Sequence, residues 1–455
     1  MDQRQAMSTM LLSAFSRSSE LKKRILFLLG ALIVYRVGTH VPLPGVDALA
    51  LEYYKESLSS GLFGMFNTFT GGALSRMSIF ALSVFPYISA SIVMMILKIA
   101  VPQLSELAKE GTKGQAKIEQ YTKYLALVLA LVQGFGMAKG IQAQQVNANG
   151  GVLNLVADQS IMFPIHTALT IAASTMFLKW LGDRITVKGL YNGMSILIFA
   201  GIIAEIPASL AQTIEMNQVG TITGFSLIGL AVWVLLMLAF VCFVESSERR
   251  LMLKNPRAIS QAKQGNIDFS NEAYIPFKVN TPGVMPVIFA SSAIIFLTGG
   301  IALIPDSGIA AEASRLLARG TVGYVFLYAL TIAVFSYVFA AVMFNTDDQA
   351  EGLRKNGTFI PGIRPGKPTA MYFDYLLTRL TTIGAAYLVL VCVLPEIIGF
   401  QATLALTFSG TSILIIVGVI MGLFDDVKRH VKEQIQTELM NKHSLKKGPR
   451  RKVQR

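Results

Sequence analysis

Ten windows of this chain carry apolar runs interrupted by charge only at Arg36, near residues 25–41, 78–97, 124–138, 161–178, 189–204, 221–244, 279–305, 320–346, 380–395 and 397–424. A bilayer core about 30 Å thick takes roughly 20 helical residues to cross, and lipid leaves every backbone group to be satisfied within the protein. The pattern therefore predicts an all-α, polytopic membrane protein of ten transmembrane helices. The last two windows abut at Pro395 and Glu396, where a tight turn is expected. A 53% hydrophobic and 15% charged composition with a mean hydropathy of +0.54 belongs to the same class. The first apolar run leads into Tyr35 and Arg36 rather than a small-residue cleavage site, so it is expected to stay as an anchor.

The basic residues set the expected orientation. Of 40 lysines and arginines, 34 fall in the segment before the first span, the loops after spans two, four, six and eight, and the tail. Positive charge accumulates on the cytoplasmic side, so both termini and the loops 246–278 and 345–373 are expected there. The net charge of +13 is then mostly a topology signal. The closing "KKGPRRKVQR" could also hold anionic lipid or an RNA-containing partner.

Catalytic and pumping chemistry leaves little trace. Membrane enzymes and pumps place ionisable groups inside their spans, and here Glu205, His166 and Arg36 stand without partners at helical spacing. A lone histidine on an apolar helix reads as a packed or hydrogen-bonded structural residue. Cys242 and Cys392 lie in separate apolar runs and read as small core residues, neither a disulfide nor a metal pair. "GFGMAKG" misses dinucleotide spacing and reads as helix packing, and no GxxxxGK[ST] occurs. Neither enzymatic activity nor any cofactor or metal is indicated. Directional work would draw its energy from a partner or the membrane potential.

Three spans mix small, polar and proline residues: Ser83, Pro86, Ser89 and Ser91 in the second; Asn192, Gly193 and Ser195 in the fifth; Asn280, Pro282, Pro286, Ser291 and Ser292 in the seventh. Such backbone is tolerated in a membrane where protein or a water-filled cavity satisfies it. Close helix packing explains any one of them, and all three together favour a central cavity. Before the second span, "FNTFTGGALSRMSIF" has the glycine and hydroxyl content of a loop yet leads directly into apolar sequence.

"SELKKRILFLLGALIVYRVGTHVPLPGVD" (19–47), "FNTFTGGALSRMSIFALSVFPYISASI" (66–92), "KEGTKGQAKIEQYTKY" (109–124), "NGMSILIFAGI" (192–202), "PFKVNTPGVMPVIFASS" (276–292) and "FIPGIRPGKPTAMYFDYLLTRLT" (359–381) occur in this order. Together they resemble the SecY family, the large subunit of the bacterial protein-conducting channel, from residue 19 to about 424. The resemblance implies a gated passive conduit for unfolded polypeptides, across the bacterial cytoplasmic membrane or laterally into it. After a cytoplasmic segment (1–24) it implies two pseudo-symmetric five-helix halves, 25–212 and 213–424, around a central pore, and then a basic tail (425–455).

Within that frame residues 62–75 form a plug, including Phe66, Asn67, Thr70, Gly71 and Gly72, with "SRMSIF" starting the next helix. A ring of apolar side chains at Val84, Ile88, Met194, Ile198, Ile288 and Ile415 would close the pore. Such groups fit any passing sequence and resist ions by dewetting. A lateral gate of spans two and three against seven and eight would use Ser89, Gln133, Ser291 and Phe296, and partner docking would use Arg364, Arg249, Arg250 and Arg257. Implied partners are the SecE and SecG subunits, the SecA ATPase, the ribosome, signal sequences with nascent polypeptides, and lipid, but not DNA.

The loop after span six departs from the family pattern, its tip being less basic than an arginine-rich hairpin. A small-solute transporter remains the alternative, which requires an ionisable coupling site near the midplane, and a structural scaffold is a third reading.

Overall fold

The computed structural model describes residues 19–47, 50–51, 67, 70–142, 145–148, 151–156, 159–220, 223–254, 274–302, 321–401 and 410–446. The helices are α1 (Ser19–Gly38), α2 (Phe85–Ala100), α3 (Pro102–Lys109), α4 (Thr112–Gln142), α5 (Met162–Lys188), α6 (Gly193–Gln218), α7 (Gly224–Ser246), α8 (Met285–Ala302), α9 (Val322–Met343), α10 (Thr346–Lys355), α11 (Lys367–Gln401) and α12 (Gly410–Lys446). Two antiparallel hairpins interrupt them, β1 (Gln145–Ala148) with β2 (Gly151–Asn154) and β3 (Glu248–Met252) with β4 (Tyr274–Lys278). The chain is thus mostly helical, and the expectation of a purely α chain is modified by these short ribbons.

Six helical stretches are long and apolar enough to cross a membrane, and a seventh qualifies if the bent pair α2–α3 counts as one span. The 99° bend of that pair has a local cause. Val101 precedes Pro102, whose ring excludes the helical conformation from the residue before it, and Val101 is extended at φ −109°, ψ 112°. Pro395 lies inside α11, which runs on to Gln401. The turn expected at Pro395–Glu396 is therefore absent there, and residues 402–409 lie outside the described residues.

The second apolar window is not helical throughout. Residues 71–84 form consecutive turns, and α2 begins only at Phe85, so "SRMSIF" does not start a helix. Met77 (φ 43°) and Ser83 (φ 48°) adopt left-handed backbone that a helix cannot accommodate. Pro86 and Pro286 each sit second in their helices, where a missing N–H leaves no intrahelical bond unmade. Pro86 and Pro286 therefore start helices rather than breaking them, and Pro282 lies in the turn before α8. In the fifth window Asn192 is an N-cap, its Oδ1 accepting from the N–H groups of Met194 (3.0 Å) and Ser195 (3.4 Å).

Helix packing divides the bundle into two groups. α1, α2, α4, α5 and α6 pack among themselves, as do α8, α9, α11 and α12, with α7 against α12. The groups meet along two seams, α2 against α8 and α6 against α12. Gly134 of "GFGMAKG" is buried where a Cβ would come within 3.1 Å of the Ala168 backbone, so that glycine permits the α4–α5 approach. α7 exposes Phe225, Ile228, Leu235 and Phe243, an apolar outer surface suited to lipid or to an apolar partner helix. Cys242 is exposed on that helix, unlike the buried Cys392, and His166 is exposed on α5 rather than packed. The core reading of Cys242 and the packed reading of His166 are corrected accordingly.

Candidate functional site

The turns before α2 are held from several sides. Asn67 organises them locally: its Oδ1 accepts from the Ser75 N–H (2.8 Å), and its carbonyl accepts from the Gly72 N–H (3.0 Å) and the Thr70 hydroxyl (3.1 Å). From α1, the Tyr35 hydroxyl donates to the Thr70 carbonyl (3.4 Å) and Arg36 Nη1 to the Gly71 carbonyl (3.2 Å). Arg76 Nη2 donates to that same Gly71 carbonyl, and Arg76 Nε to the Thr39 carbonyl (3.3 Å).

Gly71 (φ 67°) and Gly72 (φ 75°) supply left-handed backbone at a close approach to α6. A Cβ on Gly71 would lie 2.8 Å from Gly201 backbone atoms, and one on Gly72 would lie 2.6 Å from Glu205 Oε2. Asn67, Thr70, Gly71 and Gly72 are all buried there. Phe66 lies outside the described residues. Arg36 and Glu205, without partners in linear spacing, thus meet around one tight turn. Sequence periodicity carries no signal for such a meeting, because its members come from separate elements.

The six expected ring residues gather in one apolar cluster. Val84, Ile88, Ile198, Ile288 and Ile415 are buried in it, and the partly buried Met194 packs against it. α2, α6, α8 and α12 supply five of them, and Val84 caps α2 from outside the helix.

The expected gate residues are less united. Ser89 on α2 and Gln133 on α4 are half-buried. Ser291, on α8, donates to the Val287 carbonyl (2.9 Å) and lies 3.3 Å from the hydroxyl of Tyr328 on α9, so its bonds stay within its own half. Phe296 belongs to α8, and its side chain is outside the described residues. The helices meet where expected, at α2–α8, without a polar bond between Ser89 and Ser291 among the described residues.

At the end carrying the basic loops, two loops become one body. Lys254 and Phe359 exchange backbone hydrogen bonds of 2.9 and 3.0 Å, joining the segment after β3 to the loop before α11. Phe277, Phe344 and Phe373 pack ring against ring beneath this bridge, with Leu251 and Ile360 in the same cluster. Arg249 and Arg250 are exposed on β3, and Arg250 pairs with Glu248 (2.7 Å) over the Tyr274 ring. Arg364 is exposed between Gly362 and Gly366, both with positive φ, and makes no ion pair among the described residues. Arg257 lies outside the described residues.

Sequence reading missed two further features. Lys179, counted as a loop charge, is buried, paired with Glu119 (3.2 Å) and Asp183 and set over the Tyr87 ring, which ties α5 to α4 and α2. Asp426 on α12 accepts from the Tyr191 N–H (3.0 Å), 235 residues away at the start of α6. Burial first, then the nearby Glu245, Asp425 and Asp426 carboxylates, raise the Tyr191 phenol above its ordinary value.

Residues 78–424 match the SecY family model. The chain belongs to the SecY family. A curated relative, protein translocase subunit SecY of Vibrio cholerae, is 41% identical over 441 residues, covering 95% of this chain and 97% of that protein. Three solved structures share the fold at 14–15% identity, each covering 91% of this chain and 93% of the other. One is described as the structure of a protein-conducting channel, with a TM-score of 0.66. A second addresses the SecY plug domain, said to stabilise the closed channel and maintain a membrane seal (0.63), and a third is Sec61 in the canine ribosome-channel complex (0.63). Membership of the SecY family makes the chain a multi-pass, non-enzymatic subunit of a protein translocase.

Proposed function

We propose that this chain is the central channel of a Sec translocon, gated by the turn segment around Gly71 and Gly72 and by the ring of Val84, Ile88, Met194, Ile198, Ile288 and Ile415. The observation that carries this reading is the seating of residues 70–78 on α1 and α6, immediately before the helix that bears Ile88. A plug in that place is removable: its bonds to neighbours end on backbone carbonyls, which water satisfies equally well once the turn leaves. The apolar cluster beneath it asks for no particular hydrogen bonds, so it yields to any unfolded chain and closes again behind it.

The reading extends to ten spans, in which α1, α5 and α8 also cross, arranged as two five-helix halves (25–212 and 213–424). The division of helix packing into two groups joined by two seams supports it. The α2–α8 seam is then the lateral gate, completed by α4 and α9. Both termini and the joined basic loops face the cytoplasm. There Arg249, Arg250, Arg257 and Arg364 engage the SecA motor or the ribosome, and the Sec61 ribosome-channel complex among the fold's neighbours supports the second of these. SecE and SecG would pack against the apolar outer surface, and the basic tail against anionic lipid.

Reconstitution tests the whole reading. The chain, co-purified with its small subunits in mild detergent and placed in proteoliposomes, should import an unfolded precursor when the motor ATPase and ATP are added. Vesicles that retain the folded protein but import nothing would reject it.

A further inference from the structure

We infer that Glu205, Arg36 and Arg76 form a charge clasp that holds the Gly71–Gly72 turn closed, and that outward movement of α6 releases it. The inference rests on the plug reading above and adds the residues that set how firmly the plug stays shut.

Three elements bring charge to one point. Arg36 reaches it from α1 and Arg76 from the turn itself, and both guanidinium groups donate to the single carbonyl of Gly71. The position a Cβ would take on Gly72 is filled by Glu205 Oε2 from α6 at 2.6 Å and by Arg76 Nη2 at 2.7 Å. Carboxylate and guanidinium thus flank a residue with no side chain from its two sides, attracting through space without an ion pair within 4 Å among the described residues. Two like charges sharing one acceptor repel, and in this partly buried place a single carboxylate decides whether the arrangement holds. Glu205 is the only acidic group of the three, and it belongs to the element opposite the turn.

The same helix touches the ring. Ile198, Gly201 and Glu205 are spaced three and four apart, so they share one face of α6. Ile198 packs in the apolar cluster, Gly201 seats the Gly71 backbone, and Glu205 closes the clasp. A polypeptide that pushes Ile198 aside therefore draws seat and counter-charge away from the turn together. Release of the plug follows from widening of the ring, without a separate signal.

The test measures resting ion leak in proteoliposomes of phosphatidylethanolamine and phosphatidylglycerol, using the full chain in variants that keep the parent's apparent melting temperature. Glu205→Gln is expected to raise the leak several-fold and Glu205→Asp less. Adding Arg36→Gln to Glu205→Gln removes one of the two repelling charges and should lower the leak again. On a chain lacking residues 64–72, Glu205→Gln should add nothing. A parent-like leak in Glu205→Gln, with the deletion leaking, overturns the clasp and leaves the plug standing. No rescue in the double variant, or an added leak on the deletion background, also overturns the clasp. A deletion that does not leak overturns the plug reading and the clasp with it.

Discussion

Ile88 and Ile288 occupy equivalent places in the chain. Each is the fourth residue of its helix, behind a proline at the second position and a left-handed residue, Ser83 or Gly283, two places before the helix starts. The supporting bonds correspond as well: Ser83 N–H to the Phe80 carbonyl (2.8 Å) matches Gly283 N–H to the Asn280 carbonyl (3.3 Å). Ile88 N–H to the Val84 carbonyl (3.0 Å) likewise matches Ile288 N–H to that of Val284 (3.3 Å). Two local structures built alike thus stand one on each side of the α2–α8 seam.

If those two isoleucines face a translocating chain from opposite halves, polar substitution at either should have the same effect. Ile88→Asn and Ile288→Asn are each expected to hydrate the constriction and raise export of a precursor with a defective signal sequence several-fold, as is Ile198→Asn. Export at the parent level, with normal accumulation of the protein, would reduce these side chains to packing.

Arg364 stands exposed on a stiff turn, and the geometry of its guanidinium is what a docking partner would read. Arg364→Glu should abolish motor-driven export into vesicles and Arg364→Lys should weaken it, because an ammonium cannot form the paired, planar bonds of the guanidinium. The orientation of the spans should stay unchanged by protease protection. Normal ATP-dependent import by the Glu variant would remove Arg364 from the functional surface.

Gly193 lets α6 begin against α5: a Cβ there would collide with the Gly182 carbonyl oxygen. Gly193→Ala should cost about 1–3 kcal/mol through forced separation of the two helices. Gly136 on α4 has nothing within 4 Å of its would-be Cβ, so Gly136→Ala should leave stability unchanged or slightly higher. Thermal unfolding in detergent, followed for both variants side by side, distinguishes the two.

The Asp426 carboxylate accepts the N–H of Tyr191, a residue held at φ 58°. Asp426→Ala leaves that part-buried donor without its acceptor and should cost about 1–3 kcal/mol. Asp426→Asn, which keeps an oxygen in place, should cost less. Equal melting temperatures for the two variants would deny the bond a role in joining α6 to α12.

The apolar windows were legible because lipid imposes length and composition on a span directly, and six helices, or seven with the bent α2–α3 pair, are long and apolar enough to cross a membrane. The turns from Ser78 to Val84 were not legible. They share the charge-free composition of a span, and the left-handed backbone at Met77 and Ser83 separates them from α2. Ring residues were placed by resemblance, since periodicity alone makes Ile198 or Ile415 one more buried aliphatic group. The meetings of Arg36 with Gly71, Glu119 with Lys179 and Asp426 with Tyr191 depend on how distant elements pack, and no local pattern encodes them.

The backbone exchange between Lys254 and Phe359 ties together two loops that a visiting protein would otherwise have to immobilise one at a time. The bridged segments are ordered relative to each other on folding, so a partner that touched both Arg249 and Arg364 would meet one preformed surface. The bridge also makes a lever. Force applied at the β3–β4 hairpin reaches α11 through Phe277 and Phe373, so any partner that engaged the hairpin would hold a handle on that helix.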